Sequence, residues 1–146
     1  MSCFLLDVNV LVALSWPEHQ FHNNVQRWFG RNAERGWATC PFVQAGFVRV
    51  LSNPNFSARA VSPKEAIEAL MVTVRHPRHE FWADDIPVAG VLEEFGDRIV
   101  GHQQVTDAYL LALAKRRRGK LATLDRRLGG LVVESSQEAE GVEVIR

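Results

Sequence analysis

Cys3-Phe4-Leu5-Leu6-Asp7-Val8-Asn9-Val10-Leu11-Val12-Ala13-Leu14 is the stretch whose reading decides the fold. Cys3 to Leu6 form an apolar run that ends on a carboxylate, and behind it Val10, Leu11 and Leu14 recur at helical spacing. That pattern is a buried strand turning directly into a helix. Asp7 sits at the turn, where Asp is a favoured N-cap. In an open α/β sheet the carboxyl ends of the strands face the crevice where ligands bind. Asp7 is therefore a helix cap or, if other groups join it, part of a binding site.

The same alternation continues outward. After a break at Ser15-Trp16-Pro17, the residues Phe21, Val25, Trp28 and Phe29 keep one apolar face of a helix. Trp37 to Cys40 read as a second strand, and Pro41 opens a helix striped by Val43, Phe47, Val50 and Leu51, with Gln44 and Arg49 riding on it. Ser62-Pro63-Lys64-Glu65 is a capping box before Ile67, Leu70, Met71 and Val74. His79 to Trp82 make a third strand, and Asp84-Asp85 are expected to cap the following helix, which carries Val88, Val91, Leu92 and Phe95. Val105, Tyr109, Leu110 and Leu113 mark the inward face of a helix with Asp107 in its first turn. Lys115 to Arg118 end that helix, Gly119 stops it, and Leu121 to Leu124 form a strand that delivers Asp125 at its carboxyl end, as the first strand delivers Asp7. Beyond the turn at Gly129-Gly130, Leu131 to Val133 offer a further strand, and Val142 to Ile145 are an edge strand or a tail. Strands alternating with helices imply a parallel sheet with right-handed crossovers, which puts every strand's carboxyl end on one edge.

At 146 residues, 47% hydrophobic and 23% charged, the chain has material for one domain over residues 1–146. The sequence has no apolar run long enough for a membrane helix and no signal-peptide pattern at its start, so a cytoplasmic protein is expected. Net charge is zero, yet Lys115 to Arg127 hold seven cations against one acid, a local patch able to track a phosphate backbone. Cys3 and Cys40 read as buried thiols, and His19 and His22 as exposed or capping histidines without further metal-ligating neighbours.

The topology makes Asp7, Asp107 and Asp125 converge. Acids brought together repel unless a cation intervenes or protons are taken up. An all-oxygen cluster without Cys or His suits Mg²⁺ or Mn²⁺, whose coordination is completed by water and substrate phosphates, and phosphodiester hydrolysis follows as the reaction class. Asn9 and Thr123 are placed to orient the carboxylates, and Arg49, Arg116, Arg117 and Arg118 to contact a phosphate backbone, the run of three being equally a solvated helix end.

Four segments together resemble the PIN-domain ribonucleases of the VapC toxin type. They are Leu6-Asp7-Val8-Asn9-Val10-Leu11, Ala38-Thr39-Cys40-Pro41 with Gly46-Phe47-Val48-Arg49-Val50-Leu51, Val105-Thr106-Asp107-Ala108-Tyr109-Leu110, and Leu121-Ala122-Thr123-Leu124-Asp125. The resemblance covers nearly the whole chain. It implies a three-layer α/β/α sandwich around a parallel sheet of four to five strands, and a Mg²⁺-dependent endoribonuclease acting as the toxin of a toxin–antitoxin pair. It further implies a homodimer and a small VapB-type antitoxin that wraps the toxin and blocks its acids. One departure is Gln44, at a position where the family often carries a Glu in the cluster. A Gln brings no charge, although its carbonyl oxygen can still face a cation or its water. Two readings compete with this one. The first is a catalytically impaired module that binds RNA or protein, marked by Gln44. The second is phosphoryl transfer through Asp7 as nucleophile, which ordinarily wants a Lys among the acids.

Overall fold

The computed structural model describes residues 3–59, 61–102, 104–126, 128 and 141–146, leaving the Leu92 side chain aside. The opening stretch becomes strand β1 (Phe4–Leu6) and helix α1 (Val8–Ser15), with all three strand residues buried. Then follow α2 (His22–Asn32), β2 (Trp37–Thr39), α3 (Pro41–Leu51), α4 (Pro63–Thr73), β3 (His79–Phe81), α5 (Ala89–Phe95), α6 (Gln104–Arg116), β4 (Lys120–Thr123) and β5 (Val142–Val144). The strands form one five-stranded sheet in the order β3-β2-β1-β4-β5, every neighbouring pair parallel.

From β1 the chain moves through β2 to β3, then returns past β1 to β4. Right-handed crossovers in opposite directions put α1 to α4 on one face and α5 and α6 on the other. The expected three-layer α/β/α arrangement is thus the observed one. Val142 to Val144 are an edge strand beside β4, and the proposed strand at Leu131 to Val133 lies outside the described residues.

Two glycines are set by close approach. A Cβ on Gly46 would stand 2.7 Å from a Val8 methyl, which fixes how near α3 lies to α1. A Cβ on Gly119 would meet the Cys3 carbonyl at 2.5 Å. The left-handed residue that ends α6 is Arg118 (φ 57°), one position before the expected glycine.

Other expectations are corrected. The Ser62–Glu65 capping box forms in both directions, but Ile67 and Met71 on α4 are 47% and 49% exposed, so that stripe is not covered by the core. Val105 likewise faces solvent, while Tyr109, Leu110 and Leu113 are buried as read. Asp84 and Asp85 do not share the capping of α5. Asp84 accepts the Phe42 N–H at 3.0 Å at the start of α3, and Asp85 pairs with Arg117 at 3.1 Å. The cause is topological: β3 lies beside β2, so the chain leaving β3 passes the N-terminus of α3 first.

Candidate functional site

Asp7 is built in by the sheet itself. Its backbone N–H donates to the Ala122 carbonyl at 3.0 Å, which extends the β1–β4 pairing by one residue and fixes Asp7 where the crossovers diverge. That switch point is where an open parallel sheet opens a crevice. Asp7 caps α1, its Oδ1 accepting the Val8 N–H at 2.7 Å, and its Oδ2 accepts the Thr123 hydroxyl at 3.0 Å. Thr123 Oγ1 in turn accepts the Asp125 N–H at 3.0 Å. One wholly buried hydroxyl therefore positions both acids at the ends of β1 and β4. The capping role and the site role of Asp7 coexist.

The Asp7 carboxyl is held above the usual carboxylate range. Burial is the largest cause; the Thr123 and Val8 bonds pull it down, and the charge of Asp125 adds to the rise. A buried carboxylate beside a second one is electrostatically costly at neutral pH, and the feature that relieves it is a positive charge.

Asp107 is partly exposed in the first turn of α6. Because α6 runs antiparallel to the β4 strand that follows it, its N-terminus lies at the same sheet edge as Asp7 and Asp125. Among the described residues, no three or more His, Cys, Asp or Glu side chains group closely enough to hold a metal ion. The two acids that the structure links are Asp7 and Asp125, through Thr123. Such a pair still suits Mg²⁺ or Mn²⁺, because Mg²⁺ is usually held by one or two carboxylates, with water and substrate phosphate completing its shell.

Gln44 is half-buried in the first turn of α3. Its Nε2 donates to Thr39 Oγ1 at 3.0 Å, and that hydroxyl lies 2.8 Å from His79 Nε2. The donor end of the amide thus ties α3 to the end of β2, whose Thr39 hydroxyl in turn meets the first residue of β3. Asn9, exposed in the first turn of α1, lines a cleft of about 320 Å³ with His19, Gln20, Phe21, Leu124 and Asp125. Neither His19 nor Phe21 carries a signal in the sequence that places it at the site. The His19–His22 pair reads in the sequence as exposed or capping histidines, and Phe21 as part of the apolar stripe of α2, whereas it is 40% exposed. His22 instead bonds the Ala13 carbonyl at 2.7 Å, joining α2 to α1.

The arginines fall elsewhere. Arg116 to Arg118 end α6, about 14 Å of helix axis beyond Asp107 at 1.5 Å per residue. Arg117 is committed to Asp85 and the Ala83 carbonyl and lies over the Trp82 ring. Arg116 lines a separate cavity of about 690 Å³ with Glu93, Glu94 and Lys115. Arg49 is exposed in the last turn of α3, at the end of that helix away from Gln44. The free thiols of Cys3 and Cys40 are both pushed up to about 12, chiefly by burial, and take no part.

A family model described as the PIN domain matches residues 4–131. The chain belongs to the PIN-domain family. Ribonuclease VapC39 of Mycobacterium tuberculosis (strain ATCC 25618 / H37Rv) is 44% identical to this PIN protein over 123 residues, covering 83% of this chain and 87% of the relative. Ribonuclease VapC38 of the same strain is 46% identical over 121 residues, covering 83% and 84%. Two more distant solved structures share the PIN fold. VapBC2 from Rickettsia felis, bound to a DNA fragment from its promoter, aligns with a TM-score of 0.65 at 13% identity over 99% of both chains. Mycobacterium tuberculosis VapC20, a sarcin–ricin loop cleaving toxin, aligns at 0.61 and 14% identity over 98% of this chain and 99% of that one.

Proposed function

We propose that this PIN domain is the toxin of a toxin–antitoxin pair, a cytoplasmic endoribonuclease that cleaves RNA phosphodiester bonds with Mg²⁺ or Mn²⁺. The observation that carries the reading is the Asp7–Thr123–Asp125 linkage at the sheet's switch point, in a chain 44–46% identical to named ribonucleases. When bound, the cation lowers the pKa of a coordinated water and offsets charge developing on the scissile phosphate. Asp7 and Asp125 would hold it, with Asp107 approaching from α6. Thr123 favours the ionised form of Asp7 by donating to Oδ2, and its buried position locks the carboxylate's orientation. Gln44 turns its donor end to Thr39, so its carbonyl oxygen is the end suited to a cation or its water. Among the described residues no helix is long and apolar enough to cross a membrane.

For partners we propose RNA as substrate, a VapB-type antitoxin and a second copy of the chain; the antitoxin is supported by the VapBC2 fold neighbour. Gln44 favours a second reading, a module that binds without cutting. The buried Asp7 carboxyl speaks against it, since a binding surface alone gains nothing from an acid whose charge is penalised by burial. The test incubates the protein with unstructured RNA and, separately, with a phosphomonoester. RNA fragments and an untouched monoester support the nuclease; intact RNA that is nevertheless bound supports the module.

A further inference from the structure

The cleft beside Asp125 has a wall that metal chemistry does not use. Phe21 stands 40% exposed on it, although helical spacing directs that residue to the core face of α2. Its neighbour His19 lies with ring centroids 5.9 Å apart and planes at 44°. His19 Nδ1 accepts the Phe21 N–H at 3.0 Å, which fixes the imidazole against the turn and leaves the neutral ring's proton on Nε2. The aromatic wall is thus held in place by its own backbone. Gln20 adds an exposed amide, a donor and an acceptor, while Asn9 and Asp125 form the side nearest the acids. A volume of about 320 Å³ is at the lower end of small-ligand clefts, enough for a single nucleoside.

We infer that this cleft is a nucleobase subsite: it takes one unpaired RNA base next to the scissile phosphate, stacked on Phe21 with its edge toward Gln20 and His19. The inference rests on the ribonuclease reading. Aromatic side chains recognise single-stranded RNA because every base offers a π-face, whereas a paired base is closed to them. A phosphate is the poorer occupant, since none of the described residues that line the cleft is Lys or Arg. The consequence is that substrate choice at one position is set by the α1–α2 turn rather than by the arginines at the far end of α6.

The test uses unstructured RNA oligonucleotides with 2-aminopurine scanned across the cut position, bound to Asp7→Asn protein so that the RNA stays whole. Stacking at one position should quench the fluorophore. Phe21→Leu keeps the apolar volume against α2 but removes the ring, so melting should be unchanged, quenching lost and affinity reduced about five- to hundred-fold, the range of a base–aromatic stack. In the cutting protein the same change should raise KM by a similar factor with little change in kcat, and Phe21→Trp should retain both. Wild-type protein that cuts RNA, with unchanged KM and quenching in Phe21→Leu, overturns the subsite and leaves the nuclease standing. Failure of the wild-type chain either to bind or to cut RNA overturns both.

Discussion

Replacing Thr123 by Val removes one hydroxyl at nearly constant shape and separates two acids that depend on it. Thr123 is wholly buried, so no water replaces the lost group. Asp7 Oδ2 loses a donor at 3.0 Å, a hydrogen bond to a charged group worth about 1.5–3 kcal/mol. The Asp125 N–H loses its acceptor at 3.0 Å, about 1 kcal/mol more. The expected destabilisation is about 2–4 kcal/mol, a fall in Tm of roughly 5–15 °C for a chain of this size. Its pH dependence has a definite sign. The Thr123 bond favours ionised Asp7, so the deficit is full above the folded-state pKa of Asp7 and shrinks as pH falls through it. Urea unfolding of both proteins across pH 4 to 8 reads this directly, with Thr123→Ser as the control that restores the hydroxyl. A Val variant within about 0.5 kcal/mol of wild type at pH 8, or a deficit independent of pH, would refute the linkage of the two acids through Thr123.

Asp7→Asn should be more stable than wild type at neutral pH. The raised pKa means that the folded state binds the proton more tightly than the unfolded one, so ionised Asp7 costs stability as pH rises through its folded pKa; the variant's advantage should shrink as pH falls below that pKa and vanish below the ordinary Asp value of the unfolded chain, read in thermal melts. Gln44→Glu should lower the Mg²⁺ needed for half-maximal cleavage several-fold, the effect of one added, partly screened carboxylate; an unchanged requirement would mean that Gln44 serves only Thr39. Gly46→Ala places a methyl 2.7 Å from Val8 and should cost about 1–3 kcal/mol through forced separation of α1 and α3, with Val8→Ala recovering part of it in a double-mutant cycle of urea melts.

The sheet was legible because its inner strands are buried on both faces and so read as unbroken apolar runs: Phe4 to Leu6 and Leu121 to Ala122 are completely buried. Asp7 and Asp125 were legible for the same reason, each being the first acid past such a run. What failed was information that spacing does not carry. Periodicity marks a face on α4 but not whether anything covers it, and Ile67 and Met71 are open. Adjacency in sequence suggested that Asp84 caps α5, while adjacency of β2 and β3 gives it to α3. The arginine run reads as a basic patch, yet the direction of α6 carries it away from the acids it was meant to serve, and Arg117 is taken up by Asp85. Phe21 has the same hydrophobic signature as Val25 and Trp28, and only the turn between α1 and α2 decides that it faces the cleft instead.

The most direct measurement is cleavage of an unstructured RNA by wild-type and Asp7→Asn proteins purified side by side, each stripped with EDTA and then titrated with Mg²⁺ or Mn²⁺. The account predicts no cutting after EDTA and recovery of wild-type cutting as either ion is added. It also predicts that Asp7→Asn stays at least about a hundred-fold slower at every metal concentration while melting no lower than wild type. Cutting that survives EDTA, or an Asp7→Asn protein as fast as wild type, would contradict it.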